Sequence, residues 1–200
     1  MAAGKTTAAA SDGWLVFEDD TGFSLTPPTA RTWSRRGRTP VVTVRSRSRR
    51  WVSIAALACY KPGHRSRLIY RPHRHERRHK RKSLSENDYR DLLVRAHTQL
   101  PGGRIVLVWD RRGTHISARM RDLLAGYDWL TVYRLPAYAP DLNPVEGLWA
   151  LLRRRLANTV FTDPDHLVTG IRAGLRRIQY RPTLVDGCLI ETGLTLTTPP

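Results

Sequence analysis

The sequence has few cysteines and no long apolar run, and each shortage excludes a class of protein. Only two of its 200 residues are cysteine. Cys59 and Cys188 match neither a metal-binding nor a redox spacing, so we expect both to be reduced structural thiols. No apolar run approaches the roughly 20 residues that span a bilayer, and the opening MAAGKTTAAA lacks the apolar core of a signal peptide. We therefore expect a soluble cytoplasmic protein without a membrane partner.

Acidic residues are also scarce relative to basic ones. The 17 Asp and Glu stand against 34 Lys and Arg, which gives a formal net charge of +17 at pH 7. A domain this basic usually binds a polyanion, most often nucleic acid. Arginine outnumbers lysine by 30 to 4, a bias that a GC-rich genome also produces, so not every arginine is assigned to a phosphate. A hydrophobic fraction of 40% is sufficient for one domain with a buried core.

Short apolar runs, helical periodicity and turn residues predict an α/β fold with a mixed sheet flanked by helices. The expected strands are 14–17, 41–44, 51–60, 67–70, 105–109 and 131–135. The first expected helix begins at Ser83 or Ser85 and ends near Gln99. Further helices are expected over about 115–126, 144–160 and 165–180. We expect residues 1–12 to form a loose tail and residues 13–180 the folded domain, followed by an uncertain extension over 181–200.

The stretch LPAYAPDLNPVEGLW, residues 135–149, links the last predicted strand to a long helix. Asn143 is a favoured N-cap, Pro144 suits the first helical position, and Glu146 has the spacing of a capping box. On these residues alone, Glu146 is either a capping carboxylate or a functional one.

Two other carboxylates follow apolar runs. Asp19 and Asp110 are each expected at the carboxyl end of a central strand, which is the edge where open α/β sheets bind ligands. Adjacent strands would bring the two together, and their repulsion would favour a hard divalent cation. The alternative for each residue alone is ordinary, because acidic residues commonly end strands.

Three blocks of the sequence resemble the conserved blocks of mariner-type DDE transposases, most closely the bacterial insertion-sequence branch. They are VFEDDTGF at 16–23, VLVWDRRGTH at 106–115 and LPAYAPDLNPVEGLW at 135–149. The segment RTWSRRGRTPVV at 31–42 resembles the one that follows the first block in that branch. The likeness covers roughly residues 14–160.

This resemblance implies an RNase H-like fold and a DNA transposition activity. In that family two Asp and one Glu or Asp hold two magnesium ions. Hard oxygen ligands of this kind would also accept manganese. On the matching positions, Asp19, Asp110 and Glu146 would be the ligands. Paired metal ions can activate a water or a 3′-hydroxyl and stabilise the leaving oxygen, which suits cleavage at element ends and 3′-end joining to target DNA.

The resemblance also assigns supporting positions. Asp20 stands where the family often has Glu and would support the site rather than bind metal. His115 matches a His that follows the second Asp and would support the ligands or contact DNA. Asn143 and Trp149 match positions that we expect to shape the helix start and its packing.

Basic residues around these blocks are candidates for DNA contact. The run from Arg71 to Lys82 is the most basic stretch, and its alternative is a solvated loop. Three arginines at 153–155 lie two turns into the helix that carries Glu146, and their alternative is an exposed helix face. The candidate DNA-binding residues are Arg111, Arg112, Arg153, Arg154, Arg155, Arg74, Arg77, Arg78 and Lys80.

The sequence departs from the family pattern in ways that affect its partners. Arg111 stands where Asn commonly follows the second Asp. Only thirteen residues precede Trp14, too few for a recognition helix, so we expect an upstream helix-turn-helix half to act with this chain. We expect an active homodimer, associated with the nucleoid. Two alternatives stay open: a transposase fragment that only binds DNA, and a nuclease of the RNase H-like or resolvase-like kind.

Overall fold

The computed structural model describes residues 12–41, 43, 51–74 and 84–195. One five-stranded mixed sheet organises this part of the chain, with strand order β3-β2-β1-β4-β5. Strands β1 and β2, and β2 and β3, pair antiparallel, whereas β4 runs parallel to both β1 and β5. The strands are β1 (Trp14–Ser24), β2 (Trp51–Tyr60), β3 (Arg67–Arg74), β4 (Ile105–Trp109) and β5 (Leu130–Arg134).

Helices cover both faces of the sheet, which confirms the predicted α/β class. They are α1 (Glu86–Gln99), α2 (Gly113–Ile116), α3 (Ala118–Ala125), α4 (Pro144–Leu156), α5 (Pro164–Gln179) and α6 (Pro182–Glu191). Side chains of β1 alternate between two cores because strand residues alternate in direction. Trp14 and Val16 pack with α1 and α3, whereas Leu15 and Phe17 pack with α4, α5 and α6.

Strand β1 is longer than its apolar run predicts. The sequence places the end of the strand at Phe17, but the strand continues to Ser24. Its polar second half is held by antiparallel pairing to β2, in which Asp19 is opposite Ala56. Asp19 therefore lies inside β1 and not at its end, because pairing with β2 supplies hydrogen bonds that the local sequence does not indicate.

Three further predictions need correction. Residues 71–74 of the basic run belong to β3 and pair with β2, so the expected loop does not begin at Arg71. The helix expected over 115–126 is two helices, because Ser117 is extended and caps α3 by accepting a hydrogen bond from the Met120 N–H. The helix expected from Pro144 to residue 160 ends at Leu156.

The segment after Tyr180 was uncertain from the sequence and forms α6. Val185, Cys188 and Leu189 of this helix are buried in the same core as α4 and α5. Cys59 and Cys188 are both buried and free, as predicted. Within the described ranges, no helix has the length and apolar character needed to cross a membrane.

Several predictions fall on residues outside the described ranges. They concern the tail up to residue 11, most of the expected strand 41–44, and the basic residues Arg77, Arg78 and Lys80. Val41 and Thr43 are described and lie outside any strand. Arg74 is described as the last residue of β3.

Candidate active site

Asp19 lies on β1, and Asp110 directly follows the neighbouring parallel strand β4. The parallel pairing of β1 with β4 extends to Phe17 opposite Val108. Strand β4 ends one residue later, at Trp109, and Asp110 follows directly. Asp19 is two residues beyond Phe17 on β1, so both carboxylates lie just past the end of the shared ladder. The predicted arrangement of these two strands side by side is confirmed.

Asn143 joins the start of α4 to β1. Its side-chain Oδ1 accepts a hydrogen bond from Val145 N at 3.2 Å, which confirms the predicted N-cap. Its Nδ2 donates to the Glu18 carbonyl at 3.0 Å. The start of α4 is thereby fixed to the residue before Asp19, and Glu146 in the first turn of α4 is brought to the same edge of the sheet.

Glu146 is not a capping-box residue in this structure. The Asn143 N–H, which the box would use, donates instead to the Pro140 carbonyl at 2.8 Å. Pro140 belongs to a short 3-10 helix, residues Pro140–Leu142, directly before α4. Among the described residues, the exposed Glu146 side chain makes no hydrogen bond. Its carboxylate is therefore free to act in the cavity beside it.

The three carboxylates line one cavity of about 400 Å³. The loop that follows β5 forms part of the cavity wall and carries Tyr138, whose side chain is fully exposed and whose φ is +58°. The lining residues are Asp19, Asp110, Arg111, Arg112, Leu135, Pro136, Ala137, Tyr138, Ala139, Pro140, Asn143 and Glu146. The sequence-predicted trio is thus brought together, with Asn143 and both arginines of the second block.

Asp19 is held from the core side by Trp149. The fully buried indole donates its Nε1–H to Asp19 Oδ2 at 2.8 Å. Burial, followed by repulsion from Glu146, raises the pKa of Asp19 from 3.8 to about 7, although the Trp149 hydrogen bond opposes this rise. Asp19 and Glu146 therefore carry charges that repel each other across the cavity, and a cation would relieve that repulsion.

The pKa of Asp110 is shifted downward, in the opposite direction to that of Asp19. Burial raises its pKa, but hydrogen bonds from His115 and from the Arg112 backbone outweigh burial and leave the pKa lowered. His115 Nδ1 lies 2.7 Å from Asp110 Oδ1, and Arg112 N donates to the same oxygen at 2.9 Å. Because an ionised carboxylate only accepts hydrogen bonds, His115 Nδ1 is the donor. Asp110 is thus held ionised and oriented.

His115 is itself fixed by aromatic packing. Its ring stacks on Trp109 with centroids 4.3 Å apart and an angle of 2° between planes, and it meets Tyr89 edge-on at 4.8 Å. Its Nε2 lies 3.4 Å from Glu18 Oε2, without the alignment of a hydrogen bond. The predicted supporting position of His115 beside Asp110 agrees with this geometry.

Glu18 is a site residue that the sequence interpretation missed. It is 1% exposed, and neither carboxylate oxygen has a hydrogen bond among the described residues. Burial, together with the charges of Asp19, Asp20 and Asp110, raises its pKa well above the usual value. The sequence carries no local signal for this burial, because Glu18 lies in the polar part of β1 that is held as a strand by pairing with β2.

The basic candidates near the cavity differ in their contacts. The Arg112 guanidinium pairs with Asp20, so it neutralises an acidic neighbour of the site. Arg153 Nη2 donates to Thr21 Oγ1 at 2.8 Å, two residues beyond Asp19. Arg154 and Arg155 are exposed on α4.

Metal ligation at this cavity would depend on carboxylate oxygens, which suit hard divalent cations. As they stand, no three His, Cys, Asp or Glu side chains in the described ranges already form a metal-binding group. Burial raises the pKa of Asp19 most, and the further rise from the charge of Glu146 fits the binding of a cation between these two carboxylates. The three carboxylates that line the cavity are thus of the chemical kind that a divalent ion accepts.

The raised pKa of Asp19 predicts a pH-dependent stability. Between about pH 4 and pH 7 the folded chain keeps the Asp19 proton, whereas the unfolded chain has released it. This contribution is therefore present at acidic pH and is lost as the pH rises through about 7. It amounts to about 2 kcal/mol after solvent screening. We expect Asp19→Asn, which keeps an acceptor for Trp149, to be the more stable protein at pH 8 without metal.

The measurement is thermal unfolding of both proteins at pH 5 and pH 8 in EDTA. For a domain of this size, about 2 kcal/mol corresponds to a Tm difference of about 4–8 °C. The Tm of the wild type should fall by that much more than the Tm of Asp19→Asn. Parallel pH dependence in the two proteins would contradict a raised pKa at Asp19.

Comparison with known proteins agrees with this geometry. The sequence matches the family described as DDE superfamily endonuclease over residues 14–168. The uncharacterized protein y4pE/y4sA of Sinorhizobium fredii is 33% identical over 82 residues, which is 40% of this chain and 58% of that protein.

Solved structures of the Mos1 mariner transposase share the fold. The Mos1 strand transfer complex superposes with a TM-score of 0.57 at 18% identity, over 92% of this chain and 56% of the Mos1 chain. The Mos1 paired end complex with Mg superposes with a TM-score of 0.58 at 17% identity, over 98% of this chain and 62% of the Mos1 chain. The isolated Mos1 catalytic domain superposes with a TM-score of 0.51 at 16% identity, over 92% of this chain and 84% of that domain.

This chain therefore spans little more than half of the curated relative and of the Mos1 chain in the strand transfer complex. The predicted RNase H-like architecture is confirmed as the fold that it shares with the Mos1 catalytic domain. Since the family match covers residues 14–168 and includes all three predicted carboxylates, this chain belongs to the DDE superfamily endonuclease family.

Proposed function

We propose that the chain is the catalytic domain of a transposase, which cleaves DNA strands at the ends of a mobile element and joins the 3′ ends to target DNA. The observation that carries the proposal is the cavity that Asp19, Asp110 and Glu146 line together. These carboxylates come from β1, from the end of β4 and from α4, three elements that the fold brings to one edge of the sheet.

In this proposal Asp19, Asp110 and Glu146 hold two Mg²⁺ ions, and Mn²⁺ can substitute because the ligands are hard oxygens. Mos1 complexes with Mg and with Mn support this choice of metal. When bound, the ions supply activation of the attacking oxygen and stabilisation of the leaving oxygen. Trp149 and His115 keep the carboxylates oriented through hydrogen bonds to Asp19 and Asp110.

The reaction has two phosphoryl transfers at one site. In cleavage, a water oxygen attacks the phosphorus and the 3′ oxygen leaves with a proton, giving a 3′-hydroxyl. In joining, that hydroxyl attacks a target phosphorus, and the target's own 3′ oxygen leaves as a new hydroxyl. The basic residues that would hold DNA backbone are Arg111, Arg112, Arg153, Arg154, Arg155, Arg74, Arg77, Arg78 and Lys80.

The partners follow from this role. DNA is the substrate, as in the Mos1 paired-end complex with the left transposon end. Recognition of element ends would require a helix-turn-helix half acting with this chain, and two copies would be needed to hold two ends. Such a protein would act at the nucleoid in the cytoplasm.

The test is metal-dependent strand cleavage by the wild type and by Glu146→Gln. Gln retains the size and helix propensity of Glu but lacks the charge that a metal ligand needs. We expect Glu146→Gln to cleave plasmid or duplex DNA about a hundredfold more slowly in Mg²⁺ or Mn²⁺. Its Tm should not fall below that of the wild type, because Glu146 makes no capping hydrogen bond and its loss relieves the repulsion with Asp19.

Glu191→Gln, on α6 outside the cavity, is a matched control for the loss of one carboxylate. A Glu146→Gln protein that cleaves as fast as this control would contradict the assignment of Glu146. Absence of cleavage by the wild type, with DNA binding intact, would favour a fragment that only binds DNA. Cleavage restricted to branched DNA or RNA hybrids would favour the nuclease alternative.

A further inference from the structure

The outer face of α5 carries arginines that the proposed active site does not use. Arg172, Arg176 and Arg177 on the helix, and Arg181 directly after its cap, are all exposed. Tyr180 lies among them with 68% of its surface exposed. We call these five residues the α5 arginine face. Helical residues four apart lie about 6 Å apart on the same side, so Arg172, Arg176 and Tyr180 form one row beside Arg177.

This face is held rigidly. The opposite side of α5 is buried in the core through Leu167, Ile171, Leu175 and Ile178. At the end of the helix, Gln179 Nε2 donates to the Leu68 carbonyl of β3 at 2.8 Å. Arg65 Nη2 also donates to the Tyr180 carbonyl at 3.1 Å, which adds another positive charge at this end. The arginines therefore project from a fixed backbone.

The arginines of this face are not neutralised by the protein. In the part of the chain that the structure describes, no carboxylate pairs with Arg172, Arg176, Arg177 or Arg181, unlike Arg112, which pairs with Asp20. Asp186 on α6 accepts a hydrogen bond from Ser66 instead. Like charges grouped on a rigid face raise the local concentration of anions. The face thus favours an external polyanion.

The shape of the face suits an extended ligand. A shallow, open cavity of about 460 Å³ is lined by Ala173, Arg176, Arg177, Tyr180 and Arg181. Apart from the arginine side chains, this cavity is lined by Ala173 and Tyr180 alone, without the large aliphatic side chains that insert into a membrane. The guanidinium groups and the tyrosine hydroxyl are donors that suit phosphate oxygens. A phosphodiester backbone meets these requirements better than a lipid surface.

The face is separate from the cavity of the carboxylates. Arg172 and Arg176 lie close enough to Tyr70 of β3 for their charges to oppose the rise that burial causes in its pKa. Tyr70 is opposite Ala56 of β2, and Ala56 is opposite Asp19 of β1. Two strand spacings of nearly 5 Å lie between Tyr70 and Asp19. From Tyr70 the face continues toward Arg65, just before β3 begins, away from the edge of the sheet that carries the carboxylates.

We propose that the α5 arginine face is a second DNA-binding surface, which holds the backbone of duplex DNA without sequence preference. It would bind duplex that lies outside the active site, whether or not the chain cleaves it. Each neutralised phosphate releases counterions, so its contribution must depend on salt concentration.

The test is a triple variant, R176Q/R177Q/R181Q, measured by fluorescence anisotropy with a random-sequence duplex in EDTA. We expect at least about tenfold weaker binding at 100 mM salt than for the wild type. The slope of log K against log salt should become about 2–3 less steep, since each phosphate contact contributes about 0.9. Because no metal is present, this result does not depend on the proposed cleavage activity.

The matched control is R95Q/R119Q/R121Q, which removes three exposed arginines from α1 and α3 on the opposite face of the sheet. It changes the net charge equally, so we expect less than about a threefold effect on binding and a nearly unchanged slope. Equal losses in the two variants would overturn the proposal, because overall charge would then explain both. Circular dichroism and Tm should match the wild type in each.

A second measurement locates the contact. Cys59 and Cys188 are buried and free, and burial raises the pKa of both thiols, so an introduced exposed cysteine can be labelled selectively. A fluorophore on Ala173→Cys should respond to duplex DNA, whereas one on Ala125→Cys, at the end of α3, should not. Equal responses at the two positions, or binding of phosphatidylserine vesicles in preference to DNA, would overturn the proposal.

Discussion

Replacing Asp110 with Asn is expected to reduce metal-dependent strand cleavage by at least about a thousandfold, equivalent to about 4 kcal/mol of transition-state stabilisation. Asn is nearly the same size as Asp and keeps an oxygen that can accept from the Arg112 N–H and from His115. What it removes is the negative charge that a hard cation requires. The loss should therefore lie in catalysis and metal binding, and not in folding.

The measurements are plasmid nicking in Mg²⁺ and in Mn²⁺, anisotropy with duplex DNA in EDTA, and thermal unfolding. DNA affinity should stay within about threefold of the wild type, because one carboxylate changes the field of a +17 protein little. Asp122→Asn, on α3 and exposed, is the matched control and should cleave normally. Retained cleavage by the Asp110→Asn protein would refute the assignment of the active site.

Trp149→Phe is expected to destabilise the fold by about 2–4 kcal/mol, because it leaves a cavity in the core and removes a hydrogen bond to a carboxylate. The Trp149 indole is fully buried and donates to Asp19. The cost should be greater at pH 8 than at pH 5, since a hydrogen bond to ionised Asp19 is stronger than one to the protonated acid. Cleavage should also slow, because Asp19 loses its orientation.

Trp109→Phe provides the control for the loss of volume. Trp109 is equally buried, in the other core, but its Nε1 has no hydrogen-bond partner among the described residues. This variant should cost about 1–2 kcal/mol less than Trp149→Phe, because it removes an unsatisfied donor and not a bonded one. Urea unfolding of both proteins at pH 5 and pH 8 tests this. Equal costs would mean that the bond to Asp19 contributes nothing to stability.

Much of the site was predictable because its signals are local. Asn143 and Pro144 start α4 through interactions within a few residues, and the run Ile105–Trp109 forms a buried strand by composition. The candidate trio could be proposed because each carboxylate follows such a signal. Resemblance to a known family then identified which carboxylates belong together.

Local signals failed where distant residues decide the structure. The polar half of β1 is a strand only because β2 pairs with it. The expected capping box is absent because the Pro140 carbonyl takes the Asn143 N–H. The bond between Trp149 and Asp19 joins residues 130 positions apart, and Arg112 pairs with Asp20 across 92 positions. No periodicity or propensity carries such information.

The sequence by itself therefore determined the class of fold, the approximate positions of most of its strands and helices, and the identity of the three candidate carboxylates, since these depend on local pattern and on motif. Only the tertiary structure decided that Glu18 is buried beside His115, that Glu146 is free to face the cavity, and that the arginines of α5 form one rigid, unpaired face. Burial, ion pairing and hydrogen-bond competition are properties of groups that meet in space. They are set when the sheet and its two helical layers assemble.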